Sequence, residues 1–205
     1  MNEQKKIKRF WEWFEKDHRK YLFLNDSTDY AKQKLLDEFL FQLHQFNKNL
    51  YFIIGGDQNS SNMELIITAD GIIDYFPNVE ELVSNAPELD EWKIIAFKPA
   101  MGPGFKTEFR GREFDPGKTI FIPLTNKQNP GAIGLHICYP DYNKEEREIF
   151  VHGTYIMIDA LIGEKAAALD IHYMDVIKTP ENVAEYNFRH LSDLQEFIKE
   201  KKNAR

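Results

Sequence analysis

The chain has 205 residues, of which 42% are hydrophobic and 14% aromatic, enough to build a real core and to exclude global disorder. Twenty-six basic against 33 acidic residues give a net charge of −7, which argues against a phosphate-binding, nucleic-acid-type surface. A single cysteine, Cys138, excludes an internal disulfide framework and a cysteine-based zinc site.

In chain order, residues 3–22 read as an amphipathic helix. Ile7, Phe10, Trp11, Phe14, His18, Tyr21 and Leu22 form its apolar stripe, and Trp13 lies off it. Residues 25–29, NDSTD, are a turn cluster rich in N-capping side chains. A second helix spans 29–47, with Leu36, Phe39, Leu40, Leu43 and Phe46 inward and Phe41 pointing away. Leu50–Ile54, nearly all apolar, reads as a strand covered on both faces. A polar loop over 55–62 leads to a strand over 63–68.

Asp70-Gly71 can turn a hairpin or break the chain before a helix; the Pro77 start favours a helix near 77–85. Strands follow at 92–97, 119–124 and 132–139. Between them, 99–118 is a Gly/Pro-rich stretch containing a short alternating piece, 105–109.

Residues 143–177 hold the longest apolar periodicity. Asn143 is the expected N-cap, Ile149, Ile156, Met157, Ala160 and Leu161 the expected inner face, and Gly163 the helix stop. Gly153 lies on that face and would let another element approach closely. An alternating strand is then expected, with Leu169, Ile171 and Tyr173 on one side and Asp170, His172 and Met174 on the other. After a mixed loop, 191–201 reads as a terminal helix with Ser192 as N-cap.

These pieces predict an α+β fold: a mixed, largely antiparallel sheet with helices mainly on one face. The whole is read as one domain, 1–205, with sub-halves 29–98 and 119–177, within which 50–98 and 119–177 each run strand, strand, helix, strand.

No stretch announces a reaction. Asp170 and His172, with Glu164, are the best candidates for a ligand-binding set, because residues i and i+2 of a strand share a face. The plainer reading is a solvated strand face. Asp159 interrupts an apolar run, and pairing with Lys165 or Arg147 would relieve its burial. Residues 111–119, GREFDPGKT, fail as a phosphate loop: five residues, not four, separate the glycines, and a strand follows. Residues 115–118 read as a β-turn instead.

Gly55-Gly56-Asp57 lacks the third glycine of a dinucleotide loop. The six histidines show no local metal-ligand spacing, and none of the five serines sits in a nucleophile elbow. Cys138 reads as small core filling. No cofactor, metal or catalytic residue is assigned. The first two helices carry more large aromatics than their packing calls for, which makes Trp13 and Phe41 candidate protein-binding anchors.

The segments WEWF, LLDEFLFQLHQFNKNLYFIIGG, ELIITADG, VEELVSNAP, WKIIAFKPA, FDPGK, IMIDALIGE and ALDIHYMDVI together resemble a family of uncharacterised bacterial proteins with no assigned activity. The resemblance covers most of the chain and implies a bacterial, cytoplasmic domain. No segment approaches a membrane span or a secretory signal. Two functional readings stay open. One is a non-catalytic binding or regulatory protein, such as an immunity-type partner, that works through a protein surface. The other is an enzyme or small-molecule binder with a pocket near Asp170 and His172, roofed by 99–118.

Overall fold

The computed structural model describes residues 2–24, 27–56 and 62–203. Asn25 and Asp26 of the expected turn cluster, and 57–61 of the expected polar loop with Ser60 and Ser61, lie outside the described residues. The fold is α+β, and the chain divides into two compact units, Met1–Lys98 and Pro99–Arg205.

In the first unit, α1 (Glu3–Asp17) starts where the Asn2 side chain accepts the Gln4 amide. It runs into a 3₁₀ turn, His18–Tyr21. α2 (Asp29–Phe46) starts at Thr28, whose hydroxyl accepts the Ala31 amide. Ile7, Phe10, Trp11 and Phe14 are buried, as their 3–4 spacing requires. The two helices meet around Phe39 of α2. Its ring centroid lies 5.7 Å from both Phe10 and Phe14, 5.5 Å from Trp13 and 5.6 Å from Tyr21. Phe52 of β1 (Tyr51–Gly55) closes the cluster at 4.1 Å.

β1 pairs antiparallel with β2 (Met63–Thr68), which pairs in parallel with β3 (Trp92–Ala96). Register places Ile53, Ile66 and Ile95 in one row, so Phe52 and Ile54 face the helices while Tyr51 and Ile53 face away. Tyr51 and Ile53 are 41% and 43% exposed, so β1 is covered on one face only. The sequence expectation of two covered faces fails because β1 ends the sheet. Asp70 and Gly71 both take positive φ, 48° and 78°, yet they turn the chain into a short 3₁₀ segment and α3 (Phe76–Ser84), not into a hairpin. Two indoles fasten helices and sheet: Trp11 Nε1 donates to the Leu82 carbonyl at 2.8 Å, and Trp92 Nε1 to His18 Nδ1 at 3.1 Å.

The second unit opens with a hairpin that the sequence reading missed, β4 (Thr107–Phe109) and β5 (Arg112–Phe114). Arg110 and Gly111 both take positive φ, as a two-residue type I′ turn requires. The turn predicted at 115–118 is present, with Asp115 Oδ1 accepting the Gly117 amide. β6 (Ile120–Leu124) pairs antiparallel with β7 (Ile133–Tyr139), which pairs in parallel with β8 (Ile171–Lys178). β9 (Arg189–His190) covers the outer edge of β6 at Ile120 and Phe121. The strand–strand–helix–strand pattern and its pairing senses therefore occur in both units, within separate sheets.

α4 (Arg147–Ile162) begins four residues after the expected cap. Asn143 instead organises the preceding turn, accepting the Glu146 amide at 2.9 Å and donating to its carboxylate at 2.7 Å. The buried face of α4 is Phe150, Gly153, Thr154, Met157, Ile158, Leu161 and Ile162; Ile156 is exposed. Gly153 lies against Phe114, whose ring occupies the space a β-carbon would need. Gly163, at φ 85°, separates α4 from a further helix, α5 (Glu164–Asp170), where a strand was expected. Its sequence, EKAAALD, is almost wholly strong helix formers, and that propensity prevails over the short alternation. α6 (Leu194–Asn203) closes the unit and packs Phe197 on Phe121 at 5.3 Å; Ser192, the expected cap, instead lies within a 3₁₀ turn, Leu191–Asp193, with its hydroxyl donating to Asp193 Oδ1 at 3.4 Å.

Candidate functional site

The three residues predicted to form a ligand set are not brought together as a strand face. Glu164 is fully buried in the first turn of α5. Asp170 ends α5 and is engaged by Lys202 at 2.7 Å, so it lies on a helix end instead of beside His172. His172 stands in β8 at a register shift: Ile133 pairs with Ile171 and Gly134 with Tyr173, leaving His172 as the extra residue. Beyond that bulge the inward positions are Met174 and Val176, while Tyr173 is exposed. The expected inner face of Leu169, Ile171 and Tyr173 is therefore corrected: Leu169 belongs to α5 and is exposed.

The bulge gives His172 a defined chemistry. Its Nδ1 accepts the Ile133 amide at 3.1 Å, so the neutral ring carries its proton on Nε2. The ring lines an open groove of about 540 Å³ together with Leu124–Gln128, Ala132, Gly134 and Tyr173. Residues 99–118 are not among its lining. Met101 of that segment is instead tied by its amide to the Ala160 carbonyl at 2.7 Å.

The other candidates resolve structurally. Arg147 pairs with Asp175 at 3.3 Å, on β8. Cys138 is buried, and burial pushes its thiol up to about 11, which removes the thiolate a nucleophile needs. Tyr139 is buried with its hydroxyl 2.7 Å from that of Thr154, and burial pushes it up to about 12. Among the described residues no group of three His, Cys, Asp or Glu side chains is placed to hold a metal ion. Likewise, no helix among them is long and apolar enough to cross a membrane.

The aromatic surplus of the first two helices is largely spent on packing. Trp11, Phe14, Phe39 and Phe46 are buried, and Trp13 is half-buried among four rings. Phe41 differs. Two residues past Phe39 it is rotated by about 200° around the helix, and it stays 62% exposed. Its helix neighbours Asp37, one turn back, and Leu40 line a groove of about 340 Å³ between α2 and β1, together with Leu36, Phe52, Ile53 and Ile54 among others. Further along α2, His44 reaches over to the Leu50 carbonyl at 3.2 Å, with its ring 6.2 Å from that of Tyr51. Sequence periodicity identified Phe41 as turned away from the core. It gave no sign of the groove, because that depends on β1 being the last strand of its sheet. Comparison of the chain with protein-family models, curated proteins and solved structures finds no match.

Proposed function

We propose that the protein is a non-catalytic binding or regulatory protein of the bacterial cytoplasm, working through the outer face of α2 and the adjoining edge of β1. The observation that supports this is Phe41, a wholly apolar ring left 62% exposed on α2, whose neighbours Asp37 and Leu40 line a groove against β1, while Phe10, Trp11, Phe14, Phe39 and Phe46 are buried. Exposed rings next to apolar grooves are the usual anchors of protein interfaces. A photo-crosslinking residue placed at Phe41 should capture a discrete partner in the source cell, and Leu40→Asp should abolish the capture. If position 41 yields no more product than position Tyr155, which is also exposed but on α4, the reading fails.

The groove at His172 favours a second reading, a small-molecule site. Its lining carries Thr125, Asn126, Lys127, Gln128, His172 and Tyr173 and no carboxylate, although the chain is net acidic, so an anionic ligand would suit it. A panel of small carboxylates and phosphates should raise the melting temperature of the native protein and leave His172→Ala unmoved. Equal responses in the two proteins would dismiss it.

A further inference from the structure

We infer that the open edge of β1 pairs antiparallel with β1 of a second copy of this chain. The inference rests on the proposal above that α2 and β1 form a protein interface, and it names the occupant.

The two units treat the same position in opposite ways. In the second unit the first strand of the motif, β6, has its outer edge closed twice. β9 pairs with Ile120 and Phe121, and Pro123 has no N–H to offer further along. In the first unit β1 holds the equivalent position. Its second residue, Phe52, packs on Phe39 of α2 just as Phe121 packs on Phe197 of α6. Yet among the described residues β1 pairs with β2 alone, and it contains no proline and no charged residue. Alternate residues of an edge strand point N–H and C=O outward, so the edge offers a second strand a ready row of backbone partners.

The strand is complementary to itself. A two-fold axis through Ile53 sets Tyr51 opposite Gly55, Phe52 opposite Ile54 and Ile53 opposite its own copy. An aromatic ring then covers a glycine, and apolar side chains meet apolar ones. No like charges are forced together across the seam, the usual penalty in self-pairing. Tyr51 and Ile53 lose their exposure, and the two α2 helices flank the join with Leu36 and Leu40. The exposed apolar side chains here amount to several hundred Å², on the order of half the ~800 Å² per partner of a stable complex. That is less than a permanent dimer buries, so the association is reversible and concentration-dependent.

Sedimentation of the full chain over a range of concentrations should show monomer passing to twice the monomer mass. Ile53→Lys should remain folded and monomeric throughout, while Ile73→Lys, at an exposed position of the same unit, should dimerise normally. In a Cys138→Ala background, Ile53→Cys should give a covalent dimer on oxidation or with a short bis-maleimide, because the paired β-carbons lie about 5 Å apart. Ile73→Cys should not. Monomer at every concentration, or a dimer that survives Ile53→Lys and yields no Ile53→Cys cross-link, overturns the inference. If the chain is monomeric and position 41 still captures a different protein, the α2 interface stands and only the choice of occupant falls. If both experiments fail, the interface falls with it.

Discussion

Replacing Gly153 by alanine should destabilise the second unit, although it improves intrinsic helix propensity. In an exposed helix interior the change would gain about 1 kcal/mol. Here the new β-carbon would sit 2.0 Å from Phe114 Cζ and 2.1 Å from Cε2, against an ordinary contact of 3.4 Å or more. The ring must retreat by more than about 1 Å, an overpacking whose usual cost is 1–3 kcal/mol or more. Phe114 has little room: it is buried, with the Tyr139 ring at 5.9 Å and the Arg112 guanidinium at 5.7 Å. The upper part of that range applies, and after the helix gain the net loss is about 2 kcal/mol, or roughly 10 °C in melting temperature for a unit of this size. Urea and thermal unfolding followed by circular dichroism measure it. Phe114→Leu combined with Gly153→Ala should recover part of the loss, giving a favourable coupling in a double-mutant cycle. A Gly153→Ala protein as stable as the parent, or more so, refutes the close approach of hairpin and helix.

Two further outcomes follow from buried polar groups. His18→Ala leaves Trp92 Nε1 buried without its acceptor and should cost at least about 1–3 kcal/mol in denaturant unfolding, whereas His18→Ala with Trp92→Phe should show the two losses to be less than additive. Burial raises Cys138 from 9.0 to about 11 and Tyr139 from 10.0 to about 12, so the unfolded chain releases these protons first. Their stabilisation is complete below pH 9 and is lost as pH rises through 11 and then 12. Cys138→Ala should flatten the part of the decline between pH 9 and 11, and an unchanged slope would contradict the thiol's burial.

Much of the fold was legible because its periodicities are long. The α1 stripe, the start of α2, the turn at 115–118 and the break at Asp70-Gly71 each rest on several residues that agree. Gly153 was legible as a point of close approach, though not its partner, Phe114, which arrives from a three-residue strand too short to show alternation. The candidate site was less legible. Leu169, Ile171 and Tyr173 alternate with Asp170 and His172 as a strand would, but the Ala-rich segment before them extends the helix through Asp170. The bulge at His172 then shifts which side chains face inward. A bulge is a property of two strands in register, and neither strand alone encodes it in a visible pattern. The groove beside Phe41 escaped for the same reason: strand order decides that β1 is terminal, and strand order is a long-range outcome.

The aromatic cluster of the first unit also makes the protein its own instrument. All three tryptophans, at 11, 13 and 92, lie in Met1–Lys98, while the sole cysteine, Cys138, lies in Pro99–Arg205. Indole emission therefore follows loosening of the first unit, and thiol labelling follows opening of the second. Run side by side on the unmodified chain, the two signals tell whether one unit opens while the other stays closed.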